Sequence, residues 1–195
     1  MRTTFLSFAL GSILLSGCAH RPESAGVSSP AASLNLPAPE FVSPKLEILN
    51  DQVKHNPADA QAYSNRGYLL ALLGRKEEAR ADLRKTVELK NTAPLHNGAG
   101  WSYFNLEDYA DALREWKTAA DMSQRRAHYD YYSLALGYWG VGDMKQAMEN
   151  FQLAVEREPR FGEAKTLNDR TAEWTPLERR AIREIYTLWS KTWRP

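Results

Sequence analysis

Residues 93–123, APLHNGAGWSYFNLEDYADALREWKTAADMS, decide how this chain folds, because their pattern stands 33 residues earlier and again about 35 residues later. Set against Ala60–Lys90, Gly100 falls on Gly67 and Ala112 on Ala79; set against His128–Pro159, Ala112 falls on Ala147 and Ala135 takes the glycine's place. Further along each unit Leu83, Trp116 and Phe151 align, as do Thr86, Ala119 and Ala154. Self-similarity at this period marks stacked copies of one supersecondary unit.

Each unit reads as two antiparallel helices. The small residue of the first helix (Gly67, Gly100, Ala135) is expected where the pair crosses closely, answered by Ala79, Ala112 or Ala147 from the second helix. Turns are marked by Gly74-Arg75, Glu107-Asp108 and Gly142-Asp143. Asp143 followed by Gln146 predicts a capping-box-like start, and Glu77, Glu78 and Asp108 put negative charge where the helix dipole favours it. Leu83-Val87, Trp116-Ala120 and Phe151-Val155 recur four apart, giving an apolar stripe that one unit cannot bury alone.

These positions resemble the tetratricopeptide repeat (TPR). Tyr63 and Tyr131 supply its early aromatic, and Pro57 and Pro159 its closing proline. Arg66 departs from the pattern where leucine is usual, His96 where an aromatic is usual, and Asn91 where the first closing proline is. The resemblance covers about Asn56–Pro159 and implies an all-α solenoid of three helix-turn-helix repeats. We place these at about 60–92, 93–127 and 128–161, within a segment 44–161 that begins with a capping helix, and followed by capping helices over 162–195. Ser43-Pro44 predicts the start of the first cap, with Leu46, Leu49 and Val53 facing the repeats. Thr175-Pro176-Leu177-Glu178 predicts the start of the last helix, which should lie against the third repeat through Ala181, Ile185, Leu188 and Trp189.

The N-terminus carries a separate message. Arg2, an apolar run of roughly 11 to 13 residues from Phe5, and small residues at its end describe a secretory signal over 1–17, too short to span a bilayer. Taken alone, Cys18 fits such a signal or a buried core position. Leu15-Ser16-Gly17-Cys18 nevertheless resembles the lipobox of bacterial lipoproteins, which implies palmitate-type lipidation of Cys18, with enough acyl chain to hold stably. Ala19, where an aspartate would imply inner-membrane retention, points to the outer membrane, the domain facing the periplasm. Residues 18–43, rich in proline, serine and alanine, read as a disordered tether.

Composition narrows the function. Without Arg2 the 25 basic residues become 24, against 24 acidic ones, so neither nucleic acid nor an acidic surface is an expected partner. Cys18 is the only thiol, and His20, His55, His96 and His128 show no ligand spacing, so neither a disulfide nor a metal is expected. Glu77-Glu78 and Glu107-Asp108 read as capping acids, and neither a phosphate loop nor a nucleophile elbow is present. We expect no cofactor and no catalysis.

Binding is what remains. The inward positions that the TPR resemblance implies are Ser64, Tyr68 and Leu72, then Asn97, Trp101 and Asn105, then Tyr129, Tyr132 and Trp139. They are expected to hold an extended or helical protein segment, although Tyr68, Trp101 and Trp139 fit packing between repeats equally well. Trp174, Trp189 and Trp193 read as core or as a patch where a second copy docks. Arg179, Arg180 and Arg183 read as a solvated face, or as a contact to anionic lipid or peptidoglycan. Anchor and repeats together look like the lipoproteins that assist pilus and secretion-channel assembly, called pilotins. The alternatives are an adaptor for peptidoglycan hydrolases and a self-associating structural protein.

Overall fold

The computed structural model describes residues 39–193, with side chains from Pro44. The signal, Cys18, His20 and the tether up to residue 38 lie outside the described residues. Nine α-helices are described and no strand: α1 (Pro39–His55), α2 (Ala60–Leu72), α3 (Lys76–Leu89), α4 (Ala93–Asn105), α5 (Tyr109–Met122), α6 (His128–Gly140), α7 (Met144–Arg157), α8 (Ala164–Arg170) and α9 (Pro176–Thr192). A 3-10 turn over Pro159–Gly162 joins α7 to α8. The class is all-α, and α2/α3, α4/α5 and α6/α7 are the three expected hairpins, stacked in chain order.

Close crossings are seen in the first two hairpins, where the atoms nearest the small residue come from the bulky side chain of the second helix. At Gly100 an added Cβ would stand 2.4 Å from the Trp116 indole nitrogen, and at Gly67 it would stand 3.0 Å from Leu83. The small residue therefore receives the bulky one of the second helix, while Ala79, Ala112 and Ala147 are fully buried beside it. Turn geometry repeats as well: Gly74, Glu107 and Gly142 all adopt positive φ, which glycine tolerates and glutamate does not favour.

Departures from the repeat pattern turn out to be polar ties across the hairpins. Arg66 donates twice to Asp82, at 2.7 Å each, and reaches Asn50 on α1. His96 Nδ1 lies 2.6 Å from Glu115, and its Nε2 lies 2.7 Å from Asn91. Asp82 and Glu115 hold the same repeat position, taken by Asn150 in the third unit, and all three are buried. A buried carboxylate needs a donor at hand, so Arg66 and His96 stand where apolar residues would otherwise pack.

Two termini differ from expectation. Helix α1 begins at Pro39, ahead of the Ser43-Pro44 start, and Pro44 sits inside it, costing the one bond its nitrogen would give Glu40. On α9 the buried face is Ala181, Ile182, Ile185 and Trp189, whereas Leu188 is 40% exposed. The capping box at Thr175 forms fully, with the Glu178 amide donating to Thr175 Oγ1 and the Thr175 amide donating to Glu178 Oε2. At Asp143 only the forward half forms, since the Gln146 side chain turns to Glu149. Among the described residues no helix is long and apolar enough to cross a membrane.

Candidate functional site

The first helices of the hairpins, α2, α4 and α6, lie side by side and form the inner face of the stack. Part of that face is filled by the chain itself. After α8 the backbone turns at Thr171–Thr175, where Arg179 fixes the bend by donating to the carbonyls of Ala172 and Trp174, and α9 then packs on α6 and α7. Trp174 enters edge-on between Trp101 and Tyr132, with ring centres 5.0 and 5.6 Å away. Asn105 Nδ2 donates to Glu178 Oε1 at 2.7 Å, and Thr175 Oγ1 donates to Asn105 Oδ1 at 3.1 Å. The box that caps α9 therefore also fastens it to α4, more than 70 residues away.

Trp139 completes this closed end. Its indole N–H donates to Glu184 Oε2 at 2.8 Å, and Arg180 pairs with the other oxygen. Burial works against the charge on Glu184, but the bonds from Arg180 and Trp139 outweigh it and hold its carboxyl below the usual range. Nearby, burial and then the charge of Glu178 push the Tyr68 hydroxyl up to about 12. Arg179 and Arg180 are thus engaged, and of the three arginines only Arg183 stands free of partners among the described residues.

At the other end the face stays open. A cavity of about 290 Å³ lies between α4, α6 and α8, walled by Trp101, Tyr129, Tyr132, Phe161 and Trp174 and edged by Asn97, Ser133 and Arg170. Tyr129 is 55% exposed and borders an adjoining cleft that runs to Ala93 and Ser123. Tyr132 is buried, and its hydroxyl finds no partner among the described residues. A larger cleft beside Asp59, Gln61 and Lys90 is formed by helix ends and carries no aromatic wall.

The nine inward positions thus divide. Ser64 is buried, with an added Cβ on Gly98 only 3.2 Å from its hydroxyl, and Tyr68 and Leu72 are half-buried. Asn105 and Trp139 are engaged by α9, Trp101 by Trp174, and Asn97, Tyr129 and Tyr132 line the open cavity. Sequence reading missed Phe161, Arg170 and Trp174 as cavity residues: Phe161 is the last residue of the third repeat, Arg170 and Trp174 lie beyond it, and no periodicity points to them. Of the C-terminal tryptophans, Trp174 and Trp189 pack inward, the latter donating to Gln152 at 2.7 Å, while Trp193 is 38% exposed. The described histidines stay apart, and no three His, Cys, Asp or Glu among the described residues gather as metal donors.

Models of the tetratricopeptide repeat match residues 47–94 and 131–161, which are the second half of α1 with α2 and α3, and most of the third hairpin. The chain carries tetratricopeptide repeats. The second hairpin, between those matches, keeps their register of Gly100, Ala112 and Trp116. Human tetratricopeptide repeat protein 13 is 30% identical over 108 residues, which are 55% of this chain and 12% of that protein; the chain spans about an eighth of the length of this curated relative.

Among solved structures, MamA (41-end) from Desulfovibrio magneticus RS-1 is 20% identical with a TM-score of 0.54, covering 79% of this chain and 88% of that one. A thermophilic TPR protein in Thermus thermophilus is 23% identical with a TM-score of 0.55, covering 69% and 73%. At these identities the likeness is one of fold. Tetratricopeptide repeats are protein-interaction scaffolds.

Proposed function

We propose that this protein is a lipid-anchored adaptor of the bacterial cell envelope, holding a segment of a partner protein at the open end of its inner face during pilus- or secretion-type assembly. The observation that carries the binding part is Tyr129, a large aromatic left 55% exposed on the first helix of a repeat, beside an aromatic-walled cavity. Amphipathic rings in such a position anchor partners at small entropic cost. The envelope part rests on Leu15-Ser16-Gly17-Cys18 and the tether that follows.

A photo-crosslinking residue placed at Tyr129 in the living cell tests the binding part. A discrete crosslinked partner is expected there and none from the same probe at Ile48, which is 58% exposed on α1; equal labelling at both positions would sink the reading. Cys18→Ala tests the anchor. It should abolish palmitate incorporation, leave the domain folded and soluble, and mislocalise the partner captured at Tyr129.

A second reading, self-association through α9, has Leu188 and Trp193 in its favour, since both are large, apolar and exposed. Sedimentation of the chain at micromolar concentration decides it. Dimers lost on Leu188→Glu support it, and a monomer excludes it.

A further inference from the structure

The open cavity has a chemical bias beyond being apolar. Among the described residues no acidic side chain lines it, and its one charge is Arg170. Arg66, Arg75, Arg80, Arg160 and Arg180 are all paired with carboxylates, but Arg170 lies over the Phe161 ring, 4.6 Å from its centre, and makes no ion pair among the described residues. Glu158, whose charge is felt at Arg170's position and conversely, is held by Arg160 at 2.9 Å. Asn97 accepts from Ser133 through Oδ1 at 3.3 Å, which leaves its amide donors uncommitted. The cavity thus offers donors and positive charge against aromatic walls, at a size near the lower limit for small-molecule sites.

We propose that this cavity is an acid-selective pocket that takes an aspartate or glutamate side chain of the partner segment at Arg170, with a neighbouring apolar side chain laid against Trp101, Tyr129 and Trp174. Charge complementarity selects this occupant. A carboxylate meets a planar cation that lies over an aromatic face at the exposed rim of the cavity, where a charge-assisted bond can form. A lysine or arginine brought to the same place would meet a like charge, and Glu158, the acid within electrostatic reach of Arg170, is already paired with Arg160. The proposal rests on the adaptor reading of the same face, and it adds that partner choice depends on a residue of α8, outside the repeats.

Random peptides displayed on phage and selected on the full chain test it. Recovered peptides should share an acidic residue beside an aromatic or aliphatic one. Their affinity, read by fluorescence anisotropy, should fall about tenfold for Arg170→Gln, stay near wild type for Arg170→Lys, and not change for Arg183→Gln. Replacing the peptide's acid by its amide should produce the same loss in the wild type and no further loss in Arg170→Gln. Circular dichroism confirms that the variants keep their helices. No recovered binder, binders without an acid, or equal affinity for Arg170→Gln and Arg183→Gln would each overturn the pocket. Crosslinking at Tyr129 together with any of these results would leave the adaptor reading standing, whereas its loss at Tyr129 would remove the adaptor reading first.

Discussion

The two ends of the inner face are built from the same helices yet solve opposite problems. At the closed end Asn105 uses its amide on both Glu178 and the Trp101 carbonyl, and its oxygen receives Thr175, so every polar atom of the junction has a partner. At the open end the Tyr132 hydroxyl is buried with no partner among the described residues, Arg170 has no carboxylate there, and Tyr129 stands in solvent. Satisfied polar networks fix structure, whereas unsatisfied groups beside exposed aromatics are what a ligand can still improve. One end is therefore a fastening and the other a reception site, although both are built on the first helices of the repeats.

If that contrast is right, polar deletions at the closed end should be expensive. Glu178→Ala removes the return half of the capping box and leaves the Asn105 amide short of an acceptor, and should cost roughly 3 kcal/mol in urea unfolding. Asn105→Ala should cost about 2 kcal/mol, because Glu178 is only 3% exposed and loses a donor that water cannot easily replace. The double variant should cost clearly less than the sum, since both act on one junction. Additive costs would show that α9 is held by its apolar face alone.

The open end should respond with the opposite sign. Tyr132→Phe removes a hydroxyl that makes no bond to the described residues, so stability should stay level or rise by up to about 1 kcal/mol. A fall comparable to that of Asn105→Ala would mean the hydroxyl is engaged after all. Glu107→Gly provides a calibration away from both ends. At φ 63 the glutamate is strained where the other two hairpins use glycine, and relief should add about 1 kcal/mol to stability.

What could be read from sequence follows the same division. Gly67, Gly100 and the bulky residues 16 places after them revealed the hairpins, because close packing of two adjacent helices is a local constraint repeated three times. The capping box at Thr175 was legible for the same reason, its parts lying three residues apart. That its glutamate reaches Asn105 was not legible, since the bond depends on how α8 turns the chain back across α4. Arg66 and His96 were visible as departures from a pattern, but their partners Asp82 and Glu115 lie on the facing helix and carry no local signal. Cavity residues Arg170 and Trp174 belong to no repeat and Phe161 stands at the last position of the third, so no register could assign them.

The smallest expected effect concerns protons at the closed end. Glu184 keeps its carboxyl ionised below the usual range, because Arg180 and Trp139 together outweigh the cost of partial burial. A carboxyl depressed in the folded state adds stability that is present above its unfolded value and is lost as pH falls through the folded one. The Glu184 contribution should therefore be intact at neutral pH and fade on acidification below the ordinary value of 4.5. Glu184→Gln, which carries no proton to gain, should unfold earlier than wild type at neutral pH, and the gap should close as the pH falls well below 4.5. A gap that persists unchanged on acidification would assign the hold on Trp139 to packing against the Arg180 side chain, and the closed end would then rest on Asn105 and its two partners alone.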